Sequence, residues 1–389
     1  MSPALFDLAP LGILFAAVLG ALIGSFANVV VHRLPKGESI AFPGSHCPAC
    51  NHELGPLELV PVLSWAVQGG SCRSCRSPIS LRYPLLESLV ALGFALLWWR
   101  WPPLEAGWTF LPLAALYALL MILAAIDIDT YTLPDSLTLP ALAIALLAPI
   151  LYGPQAGLPS FGSAVAGATL GAGILVLVNR IGALVLRRFR DTGERLWPLG
   201  FDQVNIAALA GALAGWQAGA LAAVVSLAAN LALRRPLRLP EPLLLALWVA
   251  ALALSLLGFT VSPLTALGGS LIAAGGVALA GALFWWLADQ GRKSEAEETS
   301  AEGTSVEEPV AMGFGDVKLA AVMGAFLGPE KLLLALFLSF ILGALGGITA
   351  RILGGERVVP FGPYLVVAAL VTLFLGDALL SWYLGLLAI

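Results

Sequence analysis

The chain has 389 residues, of which 59% are hydrophobic and only 11% charged, with a formal net charge of −4. A soluble domain carries roughly 25% charged residues, so the composition excludes a single soluble globular domain and points to an all-α polytopic membrane protein. The charges cluster in a few loops and no basic stripe is present, which argues against nucleic acid as a partner.

In chain order, the first apolar run covers about residues 11–31 and lacks a basic leader region or a small-residue cleavage site. It reads as a retained helix rather than a removed signal peptide. Residues 33–84 are polar and rich in Pro, Gly, Ser and Cys, and form a small soluble module. Further apolar runs follow at about 85–99, 110–126, 136–151, 162–186, 203–215, 218–233, 241–258, 266–288, 316–328, 331–350 and 361–376, giving about twelve predicted spans.

All four cysteines fall in the module, as Cys47-Pro48-Ala49-Cys50 and Cys72-Arg73-Ser74-Cys75. Two C-x2-C knuckles separated by a spacer of about 20 residues predict a closed tetrahedral structural zinc site. The alternatives are two disulfides or free thiols. His46 and His52 flank the first knuckle, and with four thiolates available they read as surface residues. A module of only about 50 residues needs such a staple to fold.

Lys and Arg placement sets the topology. Arg33, Lys36, Arg73, Arg76, Arg82, Arg187, Arg188, Arg190, Arg195, Arg234, Arg235, Arg238, Arg292, Lys293, Lys318, Arg351 and Arg357 share one side under twelve alternating spans. Only Arg100 and Lys331 oppose them, and Arg180 lies inside a span. The rich side is expected to be cytoplasmic, with the N-terminus outside.

The last eight spans read as a four-span unit written twice. Gly200-Phe201-Asp202-Gln203-Val204-Asn205 aligns without gaps with Gly313-Phe314-Gly315-Asp316-Val317-Lys318, and Gly215 and Ser226 keep register with Gly328 and Ser339. Gln203 stands where Asp316 stands. The acidic stretch 294–308 before the second copy lacks periodicity and reads as a solvated linker.

Ionisable residues at membrane depth are costly and generally functional. Asp316 sits where a polar loop enters an apolar helix. Asp127 directly follows Ala124-Ala125-Ile126 and is the acid best placed to be its partner. Asp129 reads as solvated and Asp135, after Pro134, as a helix cap. Two carboxylates converging in a low-dielectric site share a proton, and such a pair can activate water while polarising a carbonyl. The bland alternative is that Asp127 and Asp316 only cap helices at the interface.

With these pieces in order, the chain resembles the type IV prepilin peptidases, the bifunctional leader peptidase/N-methyltransferases of the GxGD type. The motifs are Gly24-Ser25-Phe26-Ala27-Asn28 through His32-Arg33-Leu34-Pro35, the paired knuckles with Val60-Pro61-Val62-Leu63-Ser64-Trp65 between them, Tyr83-Pro84-Leu85-Leu86-Glu87, Ile126-Asp127 through Leu133-Pro134-Asp135, Gly313-Phe314-Gly315-Asp316, and Pro360-Phe361-Gly362-Pro363-Tyr364.

The resemblance implies an inner-membrane aspartic endopeptidase that removes the basic leader from type IV prepilins and type II secretion pseudopilins at the cytoplasmic face. It implies catalytic roles for Asp127 and Asp316 and, for members with the cysteine module, methylation of the new N-terminus with S-adenosylmethionine, for which no nucleotide motif is visible; the knuckle spacing adds structural Zn2+ on Cys47, Cys50, Cys72 and Cys75. A peptidase without methyl transfer, or a transporter or scaffold whose acids bind a cation, are the competing readings.

Family members have about eight spans, so a four-span block is extra here. The expected organisation is a first helix (1–32), the zinc module (33–84), helices carrying Asp127 (85–152), a degenerate non-catalytic copy (153–260) and the catalytic copy (261–389).

Overall fold

The computed structural model describes residues 9–185, 199–235, 239–293, 313–353 and 359–386. The linker 294–308 and Arg187, Arg188, Arg190, Arg195, Arg238 and Arg357 lie outside them. The described residues are helical apart from loops and two isolated β-bridges beside the cysteines. The longer helices are α1 (Ala9–Arg33), α2 (Arg82–Arg100), α3 (Phe110–Thr130), α4 (Asp135–Leu151), α5 (Phe161–Val185), α6 (Phe201–Ala214), α7 (Trp216–Leu233), α8 (Glu241–Leu256), α9 (Pro263–Lys293), α10 (Phe314–Ile352) and α11 (Gly362–Leu386).

The all-helical, multi-pass membrane class holds. Seven of these helices, α1, α3, α5, α7, α9, α10 and α11, are long and apolar enough to cross a membrane. α4, α6 and α8 are shorter and equally apolar. α10 carries two of the predicted spans, because its backbone breaks at Gly328 with φ 76° and ψ 170°. Gly215, between α6 and α7, adopts nearly the same pair, 88° and 172°. That region is open essentially to glycine alone, so the two copies are broken at the same place for the same reason.

The chain divides into two compact units, Met1–Leu158 and Pro159–Ile389. In the first, α1 and α2 lie together along small residues. A Cβ on Gly20 or Gly24 would press into Val90, Phe94 or the Glu87 backbone. α3 joins through Tyr117, whose ring fills the space above Gly93 and whose hydroxyl donates to the Leu89 carbonyl at 2.8 Å. Phe110 meets Phe94 and Trp98 edge to face.

The second unit interlocks the two copies. α5 of the first copy packs most extensively on α10 of the second, and α9 of the second packs on α6 of the first. A Cβ on Gly167 would overlap the Gly324 carbonyl oxygen, and one on Gly324 that of Gly167. At the equivalent crossing Gly211 and Gly269 stand in the same relation. α5 and α9 also cross each other, Gly173 against the Leu271 carbonyl and Gly275 against that of Thr169. Each pair sits at equivalent positions of the two copies, so the arrangement has an approximate internal twofold. Small residues at such crossings let backbones approach within dispersion range, the main attraction between helices in lipid.

Candidate active site and cysteine centre

The four sulfurs lie within 4.8 Å of one another, and Cys47 Sγ is 3.8 Å from Cys75 Sγ. Sulfurs on a tetrahedron with metal–sulfur bonds of about 2.3 Å are themselves about 3.8 Å apart. All four thiols are free, so the disulfide alternative fails here.

Two matching turns build the cluster. Cys47 N–H donates to the His52 carbonyl at 2.9 Å and Asn51 N–H to the Cys47 carbonyl at 2.8 Å; Cys72 donates to Ser77 at 2.9 Å and Arg76 to Cys72 at 3.0 Å. Asn51 and Arg76 occupy the left-handed region that closes each turn, at φ 55° and 62°. The N–H groups of Ala49 and Cys50 aim at the Cys47 sulfur and lower its thiol to about 7. At Cys50 the His52 N–H favours the thiolate, but burial and the neighbouring sulfurs outweigh it and push the thiol up to about 12. His46 Nδ1 lies 3.1 Å from the Gly44 carbonyl, and His52 Nε2 3.3 Å from Glu58; neither belongs to the sulfur cluster.

Asp127 lies in the last turn of α3 and is 4% exposed. The helix ends four residues later at Tyr131, in the left-handed region at φ 54°, whose N–H returns to the Asp127 carbonyl. The Arg82 guanidinium, at the start of α2, donates to the Ala125 carbonyl at 2.8 Å and pairs with the Asp129 carboxylate. It thereby holds the turn that carries Asp127. Asp129 is partly exposed and engaged by Arg82, in keeping with a supporting place. Asp135 is the first helical residue of α4 and contributes charge to the first turn; the cap position itself belongs to Pro134, which makes no side-chain cap bond.

Asp316 occupies the first turn of α10 and is 8% exposed, where a helix dipole favours a carboxylate. Its N–H bonds to the Gly313 carbonyl at 3.2 Å. Gly313 has φ −72°, so no positive φ calls for glycine here, and a Cβ would meet the Asp316 carboxylate only at an ordinary 3.8 Å. Lys318, two residues on, is also buried, with Nζ 5.5 Å from the Phe314 ring. Phe314 meets Phe201 edge to face at 6.3 Å, which ties the two copies together at these helix starts.

In the first copy Gln203 takes the place of Asp316 and is almost fully buried. Its Oε1 accepts the Gly200 N–H at 2.7 Å. The side chain therefore turns back to cap its own helix, as glutamine at the third helical position commonly does. Asp127 belongs to the first compact unit and Asp316 to the second.

Three further buried or paired ionisable residues, Arg82, Lys318 and Glu87, have no role assigned from sequence. Arg82 and Lys318 counted there only as topology charges. Glu87 lay in a motif without a function; an acid so close to an apolar run was itself a signal.

Comparison with known proteins finds related sequences along most of the chain. The bacterial peptidase A24 N-terminal domain matches residues 18–101, and the type IV leader peptidase family matches residues 114–233 and 235–348. The first of those two stretches contains Asp127 and Gln203, the second Asp316. A prepilin leader peptidase/N-methyltransferase of Myxococcus xanthus (strain DK1622) is 40% identical over 183 residues, 46% of this chain and 51% of that protein, so the match spans about half the relative's length. One of the same name from Aeromonas hydrophila is 29% identical over 390 residues, covering 93% of this chain and 90% of its own. A type 4 prepilin-like proteins leader peptide-processing enzyme of Escherichia coli O78:H11 is 35% identical over 221 residues, 50% of this chain and 80% of the relative. No solved structure matches.

Proposed function

Because the chain belongs to the type IV leader peptidase family, we propose that it is a membrane aspartic endopeptidase that removes the leader of type IV prepilins and pseudopilins, with Asp127 and Asp316 as its catalytic pair. The observation that carries the reading is that each acid is buried in the terminal turn of an apolar helix, and that Gln203 stands in the first copy where Asp316 stands in the second. Each stretch that matches the family contributes one of the two acids.

The pair works by sharing one proton. In a site of low dielectric two adjacent carboxylates do not both ionise readily. The ionised member takes a proton from water as the water attacks the scissile carbonyl, and the protonated member donates to the carbonyl oxygen. The proton count belongs to the pair, so neither role is fixed to one residue.

The relatives' names include N-methyltransferase. We infer the same second activity here, with S-adenosylmethionine supplying the methyl group to the new N-terminus. Its binding residues are unassigned. The cysteine cluster suits Zn2+: four thiolates close a tetrahedron and leave no position for water, which makes the ion structural. We assign the enzyme to the inner membrane with the module and both acids at its cytoplasmic face, a reading that the Lys/Arg distribution supports.

Incubating the purified protein with a prepilin and methyl-labelled S-adenosylmethionine tests both activities. Leader loss and label incorporation are expected together. Leader loss without label removes the second activity alone, and an intact prepilin removes the first.

A further inference from the structure

The module's middle segment does not sit where a soluble loop should. Pro56–Glu58 is a single 3-10 turn and Leu63–Val67 a short helix. Together with Leu59 and Val60 they flank α1 across a groove of about 510 Å3, in which Leu59, Val60 and Leu63 stand opposite Val18, Ala21 and Leu22. The apolar span of α1 runs from Pro10 to Lys36. Any window of about 20 residues within it, the length that crosses the hydrocarbon layer, contains Val18–Leu22. The segment therefore lies at membrane depth.

Its surface fits that place. Leu57 is 75% exposed, Leu63 64% and Val67 77%. On α1 Leu14, Phe15, Val18 and Leu22 are likewise exposed, and Leu63 stands across the groove from Val18 and Leu22. Solvent exposure of such a row would be costly in water and is ordinary in lipid.

Its backbone fits as well. Lipid offers no hydrogen bonds, so non-helical chain at this depth must be satisfied by the protein. Pro56 and Pro61 have no N–H to satisfy. Glu58 and Leu59 bond back to Gly55 and Pro56, and Ser64, Ala66 and Gln68 bond back to Val60, Val62 and Ser64. The amide of Val62, at φ 62°, donates to the buried Glu87 carboxylate at 2.7 Å. Trp65 Nε1 donates to the Ile79 carbonyl at 3.0 Å.

We propose that Pro56–Val67 is a re-entrant element seated in the membrane, with the exposed face of Leu57, Leu63 and Val67 against the acyl chains and the Glu58 carboxylate turned back to the Gly55 N–H and to His52 at the aqueous edge. The cysteine cluster, whose two knuckles flank this segment in sequence, is then fixed at the bilayer surface instead of standing off in water. Glu87 is the receptor that lets the chain turn at depth.

The test uses the full-length protein in lipid nanodiscs, with a fluorescent non-natural amino acid at Leu57, Leu63 or Val67, or at Glu53 as the aqueous reference. Phospholipids brominated in mid-chain are expected to quench the first three at least twofold and Glu53 not at all, and aqueous iodide to do the reverse. Iodide quenching at the three with no effect of brominated lipid would overturn the proposal. Shielding from both quenchers would also overturn it, since a protein partner would then cover the face. Unsubstituted protein gives a second reading that does not depend on a label. Hydroxyl-radical footprinting in nanodiscs is expected to oxidise His52 and spare Leu57, Leu63 and Val67; oxidation of the three leucine and valine side chains contradicts it.

Discussion

Gly167 on α5 and Gly324 on α10 face each other so closely that a Cβ on either would overlap the other's carbonyl oxygen. This contact joins the first copy to the helix that begins with Asp316. The helix that supports α10 is therefore α5, which follows the Asp127 segment in the chain, while α9, which precedes α10, packs on α5 and α6. The first copy is thus packed directly against the helix that carries Asp316.

The first expectation follows from that contact. Gly324→Val or Gly167→Val forces the backbones apart and costs about 1–3 kcal/mol, as overpacking does. Thermal unfolding in detergent reads the loss, and prepilin cleavage falls with it as Asp316 shifts. Gly347, on the same helix with open space around it, is the control. Gly347→Ala is neutral or stabilises by up to about 1 kcal/mol, because alanine restricts the unfolded chain.

Arg82 is expected to matter more than its charge suggests. Arg82→Ala leaves the Ala125 carbonyl without its guanidinium donor and loosens the turn that bears Asp127. Cleavage should fall chiefly in kcat. Asp129→Asn, which disturbs only the exposed half of the same contact, should be nearly silent, since surface ion pairs contribute about 0–1 kcal/mol. Equal damage by both substitutions would point to the ion pair instead of the carbonyl contact.

The cysteine centre has a signed pH dependence in its metal-free form. The Cys47 thiol is lowered in the folded module from 9.0 to about 7. Its contribution to stability is complete above pH 9, shrinks as pH falls, and is gone below about pH 7. Cys50 is raised from 9.0 to about 12, so its contribution is complete below pH 9 and is lost only as pH rises toward 12. Chelator-treated protein should therefore show smaller amide protection factors, corrected for the base-catalysed intrinsic rate, in residues 47–77 at pH 7 than at pH 9, and added Zn2+ should remove the difference. The purified protein should carry about one ion per chain.

Gln203 should be dispensable for chemistry. Gln203→Ala removes a helix cap worth about 1 kcal/mol and leaves the pH profile of cleavage unchanged. A shifted profile would place Gln203 near the reacting groups.

Much of this was legible in the chain itself. The knuckle spacing announced the sulfur cluster, and the lone acids at Asp127 and Asp316 stood out against apolar helices. The helices announced themselves by composition. What the sequence did not show was partnership at long range. Glycines at 167, 211, 269 and 324 look alike in a row of small residues, and nothing local says that α5 pairs with α10 rather than α9 with α10. The segment Pro56–Val67 is too short and too broken by proline to read as a membrane element. Its depth emerges only from its seat against Val18 and Leu22. Arg82 looked like one more positive charge, because its acceptor at Ala125 is a backbone carbonyl and leaves no mark in the sequence.

The most direct test of the account is prepilin cleavage by Asp127→Asn and Asp316→Asn in otherwise intact protein, with Asp202→Asn alongside. Loss of an acid–base partner removes about 100- to 10,000-fold in rate. Both of the first two variants should show that loss while retaining their helical content and metal, and Asp202→Asn should cleave like the unsubstituted protein. Full cleavage by either Asp127→Asn or Asp316→Asn would contradict the account.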